Sequence, residues 1–509
     1  MTDRVRIDLQ PLGETFEIAR GEPLRDALFA RGVEFPCGGR GTCRGCRVRV
    51  AAGAPPPRPA ESAALAPADL ASGWRLACFL RADAPMTLEV AQWASTILAD
   101  DTPFAFAPRE GLGAAVDLGT TTLVAQLVDL ATGRVLAVRS ALNPQARHGA
   151  DIMSRIQFAT APGGRKTLTA MIREEIGRMI GGLLDDRARH APPGPLRDVA
   201  IVGNAAMHHL FGGIGVESLA AFPFEPAHAG PLEFPAGALG WDLPGDPPVR
   251  FLPCLGGFVG SDILAGILAT RLHESADLVA LADLGTNGEV VLGNRDRIWC
   301  ASTAAGPAFE GARIGQGMRA ATGAIAEVSV AGGAMRCRVL GGGDPRGICG
   351  SGLVDAVAAG LDLGWIEPGG RLADGAKAIP LAGDIVLSQA DVRELQLAKG
   401  AIAAGFRILL ARAGAEPAGV SRLHLAGAFG NYVSRASARR IGLLEFPLDA
   451  IRPAGNTALR GAKVALFERG GEAGAYADLR SRVEHVPLAA DPRFQDRFAE
   501  SMAFPPAPD

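Results

Sequence analysis

The segment Val116-Asp117-Leu118-Gly119-Thr120-Thr121-Thr122 has a counterpart later in the chain, Ala282-Asp283-Leu284-Gly285-Thr286-Asn287-Gly288-Glu289. Each segment follows an apolar strand and leads into another, so each predicts a tight hairpin between two strands. A unit that occurs twice predicts duplicated halves that face each other across a cleft. From Gly113 onward, strands end in glycine turns and alternate with helical stretches, which predicts an α/β fold.

Both hairpins carry the residue types that hold phosphate groups. Glycine lets backbone N–H groups approach phosphate oxygens, hydroxyls add donors, and an aspartate at the strand end holds Mg²⁺, usually through its waters. A pair of such hairpins would clamp a triphosphate from both halves, so the pair is a much stronger indication than one hairpin. The candidate phosphate and magnesium residues are Asp117, Gly119, Thr120, Thr121, Asp283, Gly285, Thr286 and Asn287.

A third candidate segment, at residues 425–431, follows a predicted strand. Its small residues would let a purine lie against the backbone, and a turn that only packs is the alternative. The adenosine candidates are Gly427, Ala428 and Phe429. The chain has neither a Walker A motif nor the glycine loop of protein kinases, which excludes those two kinds of nucleotide site.

Four cysteines near the start of the chain form a separate motif, and they are Cys37, Cys43, Cys46 and Cys78. Their spacing is C-x5-C-x2-C with a distant fourth cysteine. The plant-type [2Fe-2S] pattern, C-x4-C-x2-C, has one residue fewer in the first gap. Thiolates are soft donors that suit iron–sulfur clusters, and glycines between the cysteines let the loop wrap closely. The motif predicts a [2Fe-2S] cluster, with a structural zinc site as the alternative.

The residues on either side of the cysteines predict a small α+β domain. Apolar residues alternate at positions 5, 7 and 9 and again at 16 and 18, which predicts a hairpin. Pro23 opens a short helix, and further strands are predicted after the cysteine loop. Two strands, a helix and more strands in the first 90 residues are typical of a β-grasp fold.

The bulk composition narrows the possible partners. The chain has 509 residues, of which 48% are hydrophobic and 21% charged, so we expect a packed protein of several domains. A net charge of −3 gives no reason to expect nucleic acid. No apolar run approaches the roughly 18 residues that cross a bilayer, and the N-terminus lacks the apolar region of a signal peptide. We therefore expect a cytoplasmic protein without a membrane or nucleic-acid partner.

Further short motifs accompany the cysteines and the paired hairpins. They are Asn143-Pro144-Gln145, Gly149-Ala150-Asp151-Ile152, Ser154-Arg155-Ile156, Gly203-Asn204, Met207-His208, residues 306–311 and 347–352, and Gln389, Arg393 and residues 396–399. In this order the motifs resemble those of the reductive activators of corrinoid-dependent enzymes, over most of the chain. The C-terminal region resembles the sugar kinase/Hsp70/actin (ASKHA) superfamily of two-lobed, RNase H-like ATPases.

The resemblance implies a division into four segments. Residues 1–92 would be a [2Fe-2S] ferredoxin-like domain, and residues 93–111 a linker. Residues 112–196 would be a middle domain that holds the first RNase H-like segment. Residues 197–509 would be the ASKHA-type ATP-binding domain.

The resemblance also implies a function. The corrinoid cofactor of a methyltransferase works as Co(I) and occasionally oxidises to Co(II), and the activator returns it to Co(I) with an electron from the cluster. This transfer is uphill from a plant-type cluster near about −400 mV, and ATP binding and hydrolysis make it possible. The implied cofactors are the [2Fe-2S] cluster, ATP and Mg²⁺. The implied partners are a corrinoid protein, an upstream electron donor and a second copy of the chain.

In this scheme the catalytic residues are Asp117, Asp283 and Glu289. Glu289 would position the attacking water, and pairing within its hairpin is the alternative. Two other functions fit the same motifs: a ferredoxin domain fused to a metabolite kinase, and a non-enzymatic, ATP-responsive redox sensor.

Overall fold

A computed structural model of the chain describes most of its residues. They are 3–10, 14–29, 33, 46–65, 67–71, 73–89, 104, 106–149, 151–188, 194–285, 287–321, 323–468 and 476–506. Three predicted site residues, Cys37, Cys43 and Thr286, lie outside this set, as does the side chain of Ala428. None of the helices in the described part of the chain has the length and apolar character needed to cross a membrane.

Residues 3–89, here called the N-terminal domain, form a β-grasp unit as predicted. Its elements are β1 (Arg4–Gln10), β2 (Glu14–Ala19), α1 (Arg25–Phe29), β3 (Arg47–Ala52), α2 (Pro59–Ala64), α3 (Pro67–Ala71), β4 (Trp74–Leu76) and β5 (Met86–Glu89). The strands form one mixed sheet in the order β2-β1-β5-β3-β4, with β1 parallel to β5. Val5, Ile7 and Leu9 point alternately into the core, which is why one face of the sheet is buried.

Residues 112–275, here called lobe 1, are built on a six-stranded sheet. The strands are β6 (Leu112–Leu118), β7 (Thr122–Asp129), β8 (Val135–Leu142), β9 (Leu196–Gly203), β10 (Leu232–Pro235) and β11 (Pro248–Phe251). The helices are α4 (Ile152–Thr160), α5 (Gly164–Ala188), α6 (Ala205–Gly212), α7 (Glu217–Ala220) and α8 (Ser261–Thr270). The strand order is β10-β11-β9-β6-β7-β8. The central strand β6 is buried along almost its whole length, as expected for a strand covered on both faces.

Residues 277–506, here called lobe 2, repeat this plan on a second six-stranded sheet. The strands of that sheet are β12 (Val279–Leu284), β13 (Gly288–Gly293), β14 (Ile298–Thr303), β20 (Arg422–Ala426), β21 (Ile451–Gly455) and β22 (Val483–His485). Smaller sheets hold β15 (Ala324–Ala331), β16 (Ala334–Val339), β17 (Gly347–Ile348), β18 (Ala378–Ala382) and β19 (Ile385–Ser388). The helices are α9 (Gly350–Asp362), α10 (Gln389–Ala413), α11 (Gly427–Tyr432), α12 (Arg435–Arg440), α13 (Thr457–Ala465), α14 (Ala477–Arg482) and α15 (Phe494–Met502).

The two lobes share one topology, which confirms the predicted RNase H-like fold class. In each lobe an antiparallel meander of three strands comes first, and two later strands run parallel to its first strand on the other side. The predicted hairpins join the first two strands of each meander, β6 to β7 and β12 to β13. The internal repeat in the sequence therefore marks the same position in both lobes.

The predicted division between residues 196 and 197 does not match this architecture. The boundary cuts into β9 just after its first residue, and β9 pairs with β6 in parallel, from Leu196 opposite Leu112 to Gly203 opposite Leu118. Since β10 and β11 complete the same sheet, lobe 1 continues beyond the predicted boundary, and the sheet of lobe 2 begins at Val279.

Two helices cross between the lobes. Helix α13 follows a strand of lobe 2 but packs against α8, β6 and β9 of lobe 1, while α8 also contacts β12 of lobe 2. The crossing is so close that a Cβ atom at Gly461 of α13 would lie 2.1 Å from the carbonyl oxygen of Ala265 in α8. The glycine is what allows the two helix backbones to touch.

We expect Gly461→Ala to destabilise the protein by about 1–3 kcal/mol, because the added methyl group meets backbone that cannot give way. Gly181→Ala in α5 is the matched control, since a Cβ atom there has no neighbour within 4 Å. That change should stabilise its helix by up to about 1 kcal/mol. Chemical denaturation of both variants measures the difference, and equal effects would contradict the close crossing.

Candidate functional site

Four carboxylates meet at the base of the cleft between the lobes. Asp117 and Asp283 occupy equivalent positions near the carboxyl ends of the central strands β6 and β12. Asp262 lies in the first turn of α8, and Glu289 lies opposite Asp283 on the neighbouring strand β13. The duplicated fold therefore brings together two aspartates that the sequence analysis proposed as a pair.

Burial raises the pKa values of all four carboxylates, and neighbouring carboxylates raise those of Asp262, Asp283 and Glu289 further. Burial raises the pKa of Asp117 to about 6. Burial and the charge of Asp117 raise that of Asp283 to about 7. Burial and the neighbouring aspartates also raise the pKa values of Asp262 and Glu289. A cation bound in the cleft would favour the ionised carboxylates and lower these pKa values.

Two asparagines brace the first hairpin from opposite sides. The Asn143 amide donates to the carbonyl of Gly119 at 2.9 Å, and its backbone N–H donates to the carbonyl of Thr121 at 2.8 Å. The Asn204 amide donates to the hydroxyl of Thr120 at 3.0 Å, while its oxygen caps α6. Gly119, Thr120 and Thr121 are therefore held in a fixed loop at the mouth of β6.

Asp117 is also bound from the other lobe. The amide of Asn456, at the start of α13, donates to Asp117 Oδ2 at 2.9 Å, and its oxygen accepts the N–H of Leu459. Asn456 thus ties a cleft carboxylate of lobe 1 to the crossing helix that extends from lobe 2.

The second hairpin touches the candidate adenosine segment. Its turn is closed by the N–H of Gly285, which donates to the carbonyl of Asn287 at 3.1 Å. Gly427 has φ +84°, and a Cβ atom there would lie 2.8 Å from both Asp283 Oδ1 and the carbonyl of Leu284. A glycine is required here for both conformation and space, and it places the backbone of the segment beside the hairpin.

The ring of Phe429, one of the adenosine candidates, packs inside lobe 2. The ring is 9% exposed and stacks on Phe309, with centroids 4.5 Å apart. The phenyl group is therefore engaged within the core of lobe 2. A purine at this segment would rest on backbone and small residues rather than on this ring.

Glu289 forms a hydrogen bond with a neighbouring strand, which is close to its alternative role of pairing within its hairpin. Its Oε1 accepts a hydrogen bond from the hydroxyl of Ser302 on β14 at 3.3 Å, and the side chain is 8% exposed. The same side chain lies opposite Asp283, so it remains a candidate for positioning water.

The cleft is not arranged as a closed metal centre. Among the described residues, no group of three or more His, Cys, Asp or Glu side chains is placed to coordinate one ion. Mg²⁺ typically keeps several waters and uses one or two carboxylates together with substrate phosphates. The separated aspartates of the two hairpins fit that mode of binding.

Two of the four predicted cluster ligands lie side by side in the N-terminal domain. Cys46 immediately precedes β3, and Cys78 lies in the 3-10 turn Ala77–Phe79 that follows β4. The N–H of Ala77 donates to the carbonyl of Cys46 at 2.8 Å, which brings the two cysteine backbones to one end of the β3–β4 hairpin. Thiolates are soft donors that suit an iron–sulfur cluster, and two of the four predicted ligands are at this end of the hairpin.

Sequence reasoning missed Asp262 and Asn456 as cleft residues. Asp262 follows the segment Gly260-Ser261, where a Cβ atom at Gly260 would lie 2.2 Å from the carbonyl of Gly203. The segment Gly260-Ser261-Asp262 directly before an apolar helix was the available signal. Nothing local to Asn456 indicates that it reaches a residue 339 positions earlier.

An iron–sulfur-type domain joined to a two-lobed cleft with paired aspartate hairpins defines an ASKHA-type protein with a ferredoxin domain. Three family models match in this order. They are the 2Fe-2S iron-sulfur cluster binding domain over residues 7–83, the RACo middle region over 112–275, and the C-terminal domain of RACo, the ASKHA domain, over 277–508.

The chain belongs to the family of reductive activators of corrinoid proteins. The corrinoid activation enzyme RamQ of Eubacterium limosum is 34% identical over 77% of this chain and 70% of that protein. The [Co(II) methylated amine-specific corrinoid protein] reductase of Methanosarcina barkeri is 29% identical over 70% of each. A solved structure of a reductive activator for corrinoid, iron-sulfur protein covers 98% of both chains, with 26% identity and a TM-score of 0.67. These relatives favour neither the kinase nor the sensor alternative.

The raised pKa values predict a pH dependence of stability in the metal- and nucleotide-free protein. Above about pH 4 an unfolded aspartate has lost its proton, while Asp262 in the folded protein still holds one. Stability therefore falls as pH rises towards the folded-state pKa. We expect a lower melting temperature at pH 8 than at pH 6, and Asp262→Asn should raise the value at pH 8 by a few degrees. Thermal denaturation at both pH values checks this.

Asp242→Asn is the control for that experiment, because Asp242 is exposed on the surface of lobe 1. It should leave the pH dependence unchanged. If Asp262→Asn also left it unchanged, repulsion among the cleft carboxylates would not be what limits stability at high pH.

Proposed function

We propose that this protein uses ATP to drive one-electron reduction of a methyltransferase's corrinoid protein, returning Co(II) to Co(I). The observation that carries the proposal is the union in one chain of a cysteine-bearing β-grasp domain and a cleft with paired aspartate hairpins. Two relatives, a corrinoid activation enzyme and a corrinoid protein reductase, support the same reaction.

In this proposal Cys37, Cys43, Cys46 and Cys78 hold a [2Fe-2S] cluster. Cys46 is buried, with 1% of its surface exposed, while Cys78 is partly exposed. When bound, the cluster supplies a donor of single electrons.

The nucleotide residues divide between the lobes. Asp117 and Asp283 hold Mg²⁺ through its waters, and Glu289 positions the attacking water. The backbone of Gly427, Ala428 and Phe429 would lie along the adenosine. The phosphate-binding residues are Gly119, Thr120 and Thr121 on lobe 1 and Gly285, Thr286 and Asn287 on lobe 2.

ATP is needed because the transfer to cobalt is uphill. Coupling requires two conformations that differ in their affinity for nucleotide and for the partner. A triphosphate held by hairpins on both lobes favours the closed arrangement, since only that arrangement satisfies both sets of donors. The crossing of α8 and α13 is the place about which the lobes would move.

The proposal includes the working context of the protein. It takes electrons from an upstream donor, acts as a homodimer and works in the cytoplasm. Analytical ultracentrifugation of the purified protein tests the dimer.

The reaction is tested by mixing the reduced protein with a corrinoid protein in the Co(II) state, with and without Mg-ATP. We expect Co(I), identified by its visible absorption, to form only when ATP is present. Equal yields of Co(I) with and without ATP would contradict the proposal. ATP hydrolysis stimulated by a small metabolite instead of the corrinoid protein would favour a kinase.

Two variants separate the parts of the reaction. Asp283→Asn should lower ATP-dependent Co(I) formation by about 100-fold or more while keeping the visible spectrum of the cluster, because it removes one of the two aspartates that bind Mg²⁺. Cys78→Ser should lose the cluster spectrum while ATP binding persists. Loss of the cluster in Asp283→Asn with retained ATP hydrolysis would contradict this division of roles.

A further inference from the structure

The N-terminal domain packs on lobe 1 through a short apolar contact. Leu142, the last residue of β8, and Ala146, in the 3-10 turn Pro144–Arg147, lie against the hydrophobic core of the N-terminal domain. That core contains the buried Cys46, and Cys78 packs at its edge. The contact therefore joins lobe 1 to the same hydrophobic core that includes Cys46.

Asn143, which lies between Leu142 and Ala146 in the chain, binds the first phosphate hairpin. Asn143 is fully buried, and its side-chain and backbone N–H groups donate to the carbonyls of Gly119 and Thr121 at 2.9 and 2.8 Å. A single turn of chain thus touches the nucleotide hairpin on one side and the N-terminal domain on the other.

The turn is too constrained to absorb a movement of the hairpin. The oxygen of Asn143 accepts the N–H of Gln145 at 3.0 Å, which caps the turn, and Pro144 fixes its backbone. The buried amide of Gln145 donates to the carbonyl of Leu168 in α5 at 3.0 Å. A displacement of residues 119–121 would therefore move Asn143 and, with it, the surface on which the N-terminal domain rests.

The N-terminal domain also reaches lobe 2, but weakly. Glu89 at the end of β5 lies 3.8 Å from the guanidinium of Arg346, and it also pairs with Arg49 of its own domain at 3.1 Å. Partly exposed ion pairs of this kind contribute about 0–1 kcal/mol. The contact with lobe 2 can break during a lobe movement while the apolar contact with lobe 1 persists.

We propose that residues 142–146 couple the nucleotide cleft to the N-terminal domain, with Asn143 as the positioning residue. This inference rests on the proposed function. Phosphate binding at Gly119–Thr121 shifts the hairpin, Asn143 carries the shift through its two hydrogen bonds, and Leu142 and Ala146 reorient the domain that donates the electron.

The first test compares Asn143→Ala with Asn204→Ala, measuring Co(I) formed per ATP hydrolysed. Both asparagines brace the same hairpin, but Asn143 alone adjoins the residues that contact the N-terminal domain. Asn204→Ala should slow ATP hydrolysis and Co(I) formation together, so that the ratio is unchanged. Asn143→Ala should lower the ratio by about fivefold or more. An unchanged ratio in Asn143→Ala would overturn the role of this residue.

The second test leaves the hairpin intact and disrupts the apolar contact. Ala146→Glu should lower Co(I) formed per ATP by about fivefold or more without changing ATP hydrolysis or the cluster spectrum. The control is Ala131→Glu, the same change in the exposed turn between β7 and β8, which should change none of these. If Ala146→Glu fails to fold, Leu142→Ala replaces it in the test, because that change reduces the same apolar contact without adding charge. The same decrease in Co(I) formed per ATP is expected.

The outcomes distinguish this inference from the function on which it rests. A wild-type protein that forms Co(I) without any response to ATP would overturn the proposed function. A wild-type protein that responds to ATP, combined with contact variants that keep the wild-type ratio, would overturn the coupling alone.

Discussion

The burial of the cleft carboxylates, together with the repulsion between neighbouring ones, is the constraint on which the rest of the structure depends. Asp117, Asp262, Asp283 and Glu289 are drawn together by two sheets that each end in the same hairpin, and burial discourages all of them from ionising. The protein offers only partial compensation, such as the amide of Asn456 on Asp117. A nucleotide complex with Mg²⁺ would remove the repulsion, so its binding energy becomes available to hold the lobes in one arrangement.

That energy is useful only because the lobes are joined in a way that permits two arrangements. The crossing of α8 and α13 is close, and apolar residues of both lobes share one core around it, including Val202, Leu281 and Leu459. Tight packing resists continuous deformation, so movement about the crossing is expected to occur between distinct states. The β6–β7 hairpin belongs to lobe 1 and the β12–β13 hairpin to lobe 2. A movement of the lobes about the crossing would therefore change the distance between the two hairpins.

The sequence predicted the features that depend on neighbouring residues. The paired hairpins and the β-grasp strands follow from alternation and glycine turns, and both are present. The predicted domain boundary between residues 196 and 197 was wrong. The sequence of β9 looks like the start of a new domain, although β9 pairs with β6 of the preceding segment. Asp262 and Asn456 are cleft residues only through folding of distant segments. The stacking of Phe429 on Phe309 depends likewise on distant segments, since the two residues lie 120 positions apart in the chain.

The placement of the electron-donating domain in the same chain has a physical consequence. Covalent attachment makes each encounter between donor and ATPase lobes intramolecular, so the domain is always present when nucleotide binds. Because the transfer to cobalt is uphill, the electron would tend to return if donor and acceptor stayed in contact. A mechanism that moves the donor in step with the nucleotide hairpin limits that return. The fixed turn around Asn143 and the weak pair between Glu89 and Arg346 have the unequal strengths such a mechanism requires. In this mechanism the turn around Asn143 transmits the movement, and the pair between Glu89 and Arg346 breaks.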